Sequence, residues 1–131
     1  MINQAHNRNI SVQNESAHIS LPTDTMFLMG IILGELFTNS IKHAFEKDKD
    51  GDRVKISLSK HENHFLFSYH ESGNENIDIE KILNSQTLGM RLVRLTVKQL
   101  DGVLEVTQDR GLVFTIDFLC EEEKRGSLFS I

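Results

Sequence analysis

The sequence has no tryptophan and, in 131 residues, only one tyrosine, one proline and one cysteine. A single cysteine, Cys120, excludes an intramolecular disulfide framework and any zinc site made of paired thiolates, and it suits a reducing compartment. Basic residues are in deficit: 14 Lys and Arg against 19 Asp and Glu leave a formal charge of −5, which argues against a nucleic-acid partner. Long apolar runs are also missing. The longest, Met26 to Leu33, stops at Gly34–Glu35, too short for a bilayer, so no direct membrane contact is expected. No basic-then-apolar leader opens the chain. The six histidines are scattered without metal-ligand spacing. What remains, 39% hydrophobic and 25% charged residues, is the composition of one globular domain with a cytoplasmic setting.

Periodicity then divides the chain. Residues 1 to 8 are polar, and Ile10–Val12 and His18–Leu21 alternate as short strands or extended chain. Pro22 with Thr23 or Asp24 marks a helix start, and the helix is expected to run from Asp24 to Phe45 with Met29, Leu33, Leu36 or Phe37, Ile41 and Ala44 on its apolar side. The acidic turn that follows has Arg53 where a calcium loop needs Gly and Ser59 where it needs Glu, so it is not a calcium site. Val54, Ile56 and Leu58, then Phe65, Phe67 and Tyr69, predict a hairpin. Residues 72–86 read as a loop with one helical turn. A second helix follows, with Leu88, Leu92, Leu95 and Leu100 as its apolar face and Gly102 as its end. A second hairpin turns at Asp109–Gly111. The charged tail after Cys120 reads as loose chain. Helices alternating with hairpins predict an α+β fold: a two-layer sandwich with a mixed, mostly antiparallel sheet covered on one face.

Three clusters carry possible chemistry. In "ELFTNSIKHAF", Glu35, Asn39 and Lys42 recur at i, i+4 and i+7, which stacks a carboxylate, a carboxamide and an amine along one helical stripe. A carboxamide oxygen can ligate Mg²⁺ beside substrate phosphates, a carboxylate one turn back can orient or deprotonate a nucleophile, and an amine one turn on can meet phosphate charge. A solvated face is the plain alternative for such a stripe. "ESG", residues 71–73, ends a strand with an acceptor for an exocyclic amine and a glycine that admits a flat ring. "TLGM", residues 87–90, leaves free N–H groups at Leu88–Gly89 where a helix begins, a natural phosphate site.

Taken in this order, residues 20–119 resemble the ATP-binding catalytic domain of two-component sensor histidine kinases, the Bergerat ATPase fold shared with gyrase B and MutL. "GELFTNSIKHAF" is similar to the N box, "YHESG" stands at the first glycine box, and "QTLGMRLVRLTVKQLDGVLEV" matches the second with its helix and strand. The resemblance implies ATP and Mg²⁺ as cofactors. Asn39 would hold the Mg²⁺, Glu35 would be the catalytic carboxylate near the γ-phosphate, and Lys42 and His43 would approach the phosphates. Glu71 would read the adenine amine beside Gly73. Residues 74–88 would form a lid, closing through Leu88 and Gly89. It further implies phosphoryl transfer to a histidine on a separate helical dimerisation domain, with a response regulator downstream. Residues 1–131 would then be a single catalytic domain, the C-terminal part of a longer kinase that could itself be membrane-anchored.

Three positions depart from the family pattern. Glu71 is one methylene longer than the usual Asp, Glu75 replaces the second glycine of its box, and Leu112 follows Gly111 where the family often has Thr. Each lost hydrogen-bond partner costs ~1–3 kcal/mol, which implies weakened ATP binding. A non-catalytic docking module of a phosphorelay and an anti-sigma-factor serine kinase are the alternative expectations.

Overall fold

Large side chains at every second position put Phe65, Phe67 and Tyr69 on one side of a strand, and the sheet of the computed structural model, which describes residues 10–44, 52–73 and 78–119, is built around that strand. The elements in chain order are β1 (Ile10–Asn14), α1 (Thr23–Asn39), a π-helical turn (Ser40–Ala44), β2 (Asp52–His61), β3 (His64–Glu71), α2 (Ile79–Leu83), α3 (Leu88–Gln99), β4 (Val103–Gln108) and β5 (Leu112–Leu119). Spatial order is β1-β2-β3-β5-β4, so β3 lies in the middle. β1 runs parallel to β2, and the remaining pairs are antiparallel. This is the expected α+β sandwich with a mixed, mostly antiparallel sheet.

The core fills the space between the helices and one sheet face. Cross-strand aromatic pairs order its sheet side: Phe65 stacks on Phe118 at 5.4 Å between centroids, and Tyr69 meets Phe114 edge-on at 6.2 Å. Such pairs add ~0.5–1.5 kcal/mol beyond their area. Helix α1 contributes Met29, Ile32 and Leu36, and α3 contributes Met90, Val93 and Val97.

Several local expectations are corrected. Pro22 occupies the N-cap of α1 and has no side-chain oxygen to offer; Asp24 instead accepts from the Thr25 N–H at 2.9 Å. The first helix does not continue as α-helix to Phe45. It gives way to π geometry at Ser40, which breaks the α periodicity and leaves Ile41 38% exposed rather than in the core. Ile32, one turn from Met29 and Leu36, takes the buried place instead. Of the leucines expected on the apolar face of α3, Leu100 at its end is buried, but Leu88 is 79% and Leu95 58% exposed. The buried stripe is Met90, Val93, Val97 and Leu100, whose spacing follows the helical repeat. Leu92 is only half-buried. His18–Leu21 is not a strand. The chain beyond β1 hooks onto β2 through the Glu15 and Ala17 N–H groups, which donate to the carbonyls of Ile56 and Leu58.

At the end of α3 it is Asp101, not Gly102, that takes the left-handed conformation, at φ 54°. The Asp101 and Gly102 N–H groups donate back to Lys98 and Val97, closing a Schellman motif. Gly102 packs closely on β5, since a Cβ there would lie 3.2 Å from the Asp117 carbonyl. The acidic turn before Asp52, Glu75 and the tail after Leu119 lie outside the described residues.

Gly34 sits exposed inside α1 with nothing within 4 Å of where a Cβ would stand. Gly34→Ala is therefore expected to raise unfolding free energy by ~0.5–1 kcal/mol in urea denaturation. Unchanged or lower stability would contradict the open surroundings.

Candidate functional site

The polar stripe of the first helix, Glu35 and Asn39 in its α part and Lys42 in the π turn, lines a cavity of about 550 Å³. Glu35, Asn39 and Lys42 line it from the helix, Glu71 from the end of β3, and Leu88 and Gly89 from the start of α3. Six of the sequence-singled residues thus meet around one space. Gly73, at φ 120°, is not among its lining residues, and the His43 side chain lies outside the described atoms.

Two glycines lie at this convergence. A Cβ on Gly89 would lie 2.8 Å from Glu35 Oε2 and 3.6 Å from Asn39 Oδ1, so the α3 N-terminus lies close against the α1 stripe, and a side chain there would displace the Glu35 carboxylate. Gly111, at φ 125°, rests so closely on the Glu71 carbonyl that any Cβ would overlap it. That contact seats the β4–β5 turn against the end of β3 and brings Leu112 directly opposite Glu71. Both side chains line the cavity, so an apolar group stands beside the carboxyl.

Glu71 is 3% exposed. Its Oε1 accepts from the Ser40 hydroxyl at 2.7 Å, and Ser40 Oγ lies 2.7 Å from the Tyr69 hydroxyl. Ser40 has one proton, so when it donates to Glu71 the phenol must donate to Ser40, forming a relay from Tyr69 through Ser40 to Glu71. Burial pushes the Glu71 carboxyl up to about 7, an effect the Ser40 hydrogen bond partly offsets. Burial likewise raises the Tyr69 phenol, against the Ser40 bond and reinforced by Glu71, so the phenol keeps its proton. Glu71 therefore sits poised between an acceptor and a donor near neutral pH.

Helix α3 opens with Thr87 as its N-cap; the hydroxyl accepts from the Met90 N–H at 3.4 Å. Twelve residues of helix stand behind this terminus, so its N–H groups and dipole favour an anion in the cavity.

No protein-family model matches the sequence, and no curated protein does. Solved structures do match. The histidine kinase domain of the Erythrobacter litoralis EL346 blue-light activated histidine kinase superposes with a TM-score of 0.76 at 25% identity, over 92% of this chain and 56% of that one. The chain has the fold of a histidine kinase catalytic domain. The Acinetobacter baumannii histidine kinase AdeS gives a TM-score of 0.73 at 16% identity, over 92% of this chain and 59% of that chain. A nucleotide-free catalytic domain of the histidine kinase ThkA gives 0.70 at 18%, over 91% and 85%. This chain spans 37% of the EL346 kinase and 56% of that kinase's own histidine kinase domain.

Sequence reasoning missed several contributors to this histidine-kinase-like site. Ser40 stands inside the quoted N-box stretch, but its partner Glu71 lies 31 positions further along the chain. Lys81 and Ser85 line the cavity from α2 and the turn after it, a segment read as mostly loop. Phe114 and Met90 supply apolar wall and carried no signal apart from core periodicity.

Because the folded Glu71 binds its proton more tightly than an ordinary carboxyl, the stability it contributes is complete below about pH 4.5. That contribution is lost as pH rises through about 7. Glu71→Gln keeps a neutral group there, so its unfolding free energy should gain on the unmodified chain by a few kcal/mol as pH rises through that window. Urea melts at stepped pH measure this; parallel curves for the two proteins would refute the buried neutral carboxyl.

Proposed function

We propose that this chain binds Mg-ATP and donates the γ-phosphoryl group to a histidine on a separate helical domain, as the catalytic domain of a signalling histidine kinase. The observation that carries this reading is the convergence of Glu35, Asn39, Lys42, Glu71, Leu88 and Gly89 on one cavity within a kinase catalytic fold. The volume suits a nucleotide-sized ligand.

The fit is strongest at the phosphate end. The missing Cβ of Gly89 leaves room against Asn39 and Glu35, and the α3 N–H groups at Leu88 and Gly89 would receive phosphate oxygens. A hard cation arriving with the phosphates would take one carboxamide oxygen from Asn39, which lines the cavity. Mg²⁺ would supply charge neutralisation for an in-line displacement. Lys42 and Lys81 would add positive charge from opposite walls. Glu35 would accept a hydrogen bond from the incoming imidazole and hold it in line. At the other end Glu71, braced by Ser40, would meet the exocyclic amine of the base.

Positioning and charge neutralisation do most of the work in phosphoryl transfer, so Asn39 outweighs an imperfect base pocket. The acceptor histidine, the helical dimerisation domain that carries it and the response regulator belong to this proposal, as does a cytoplasmic setting. No helix among the described residues is long and apolar enough to cross a membrane.

One observation favours the non-catalytic reading, a docking module of a phosphorelay: Leu112 places a buried apolar side chain directly across from Glu71, in the base end of the cavity. Titration with a fluorescent ATP analogue separates the two. Magnesium-dependent micromolar binding that Asn39→Ala abolishes is expected; no binding at millimolar nucleotide would leave the docking module. Leu112→Thr, which restores a hydroxyl beside Glu71, should tighten nucleotide binding roughly threefold to tenfold. Weaker binding would show that Leu112 packs usefully on the base.

A further inference from the structure

Successive residues of a strand point to opposite faces, so while Glu71 enters the nucleotide-sized cavity, His70 enters a separate polar cleft on the uncovered side of the sheet. This cleft measures about 350 Å³. Arg53 and Lys55 line it from β2, Arg110 from the tip of the β4–β5 turn, and Gln13 from β1. On a chain of net charge −5 this is a local reversal of sign.

The lining residues are mostly donors. The Arg53 N–H donates to Ser72 Oγ at 2.7 Å, so the serine keeps its own proton for another acceptor. His70 Nε2 lies 2.7 Å from the Asp109 carbonyl, which only accepts; Nε2 therefore carries the proton and the contact pins the turn beside Arg110. Lys55 is only loosely engaged, 3.9 Å from Glu15 and half exposed. Among the described residues, Asp109 is the single carboxylate lining the cleft. Among the described residues neither the Arg53 nor the Arg110 guanidinium has a carboxylate at ion-pair distance.

We propose that this cleft is a binding site for a phosphate-class dianion, as inorganic phosphate or a phosphate monoester. Two arginines from different elements, lining one cleft together with a lysine and a serine, suit a tetrahedral dianion that accepts from several directions. A planar monoanion would engage a single fork. The site is distinct from the cavity facing α1 and α3, which lies across the sheet.

The test is a titration of the whole isotope-labelled chain with inorganic phosphate and, separately, phenyl phosphate. It is followed by amide chemical shifts at constant ionic strength, with sodium chloride and sodium acetate as controls. Saturable shifts at Arg53, Ser72, Arg110 and Gly111 are expected with both phosphates, and tighter binding of the ester would mark an esterified group as the natural source. Arg53→Gln and Arg110→Gln should each weaken binding roughly tenfold, and Asp109→Asn should strengthen it severalfold. Asn39→Ala, across the sheet, should leave these shifts in place. The proposal fails if the shifts track chloride equally, if acetate binds as tightly as phosphate, or if phosphate perturbs only residues around Gly89. Because the unmodified chain alone reports the location of binding, the test holds even if an arginine variant does not fold.

Discussion

The hydrogen bond between Ser40 and Glu71 ties the end of the first long helix to the middle strand of the sheet, and the rest of the site takes its position from it. Ser40 is fully buried, and its hydroxyl meets Leu36, Tyr69 and Glu71. Such a group is costly to desolvate and more costly to leave unpaired, by ~1–3 kcal/mol for each orphaned partner. The network therefore specifies one registration of helix on sheet, where an all-apolar contact would tolerate several. Ser40 and Tyr69 set the character of the cavity, since they hold a buried carboxyl in its wall through hydroxyls.

Around that anchor, the site depends on backbone proximity as much as on side-chain chemistry. At Gly89 one helix terminus lies close against the flank of another, and Gly111 lets a turn lie on a strand end. Neither residue offers a functional group. At Gly111 the missing Cβ is what lets the turn seat on the Glu71 backbone and puts Leu112 and Glu71 in one space. The two faces of β3 then serve different ends. One completes the aromatic core and finishes at Glu71, and the other presents His64, Leu66 and Ser68 and finishes at His70 and Ser72.

Much of this was legible in the linear pattern. Phe65, Phe67 and Tyr69 announced a half-buried strand, and the i, i+4, i+7 stripe of Glu35, Asn39 and Lys42 correctly put three polar groups on one side of a helix. The apolar face of α3 was misread because leucines were counted and Met90, Val93 and Val97 were not; at helical pitch those three share an arc that Leu88 and Leu95 do not. The π-helical turn left no periodic trace, since five residues are too few to reveal a changed repeat. Ser40 was passed over for a different reason. Its meaning lies in a partner 31 positions away, and local pattern contains no information about such a pairing.

The lone parallel pair has a consequence for how the chain reaches this state. The β2–β3 and β4–β5 hairpins join neighbours in sequence, with His61 opposite His64 and Gln108 opposite Leu112. Strand β1, by contrast, aligns Ile10 with Asp52, so the whole of α1 must be threaded across before a single rung of that ladder can close. Loop-closure entropy makes such long-range rungs slow to form, and the hairpins are free to assemble first. The edge strand is thus the natural last piece to dock and the first to peel away, a seam of low local stability within an otherwise cooperative sheet.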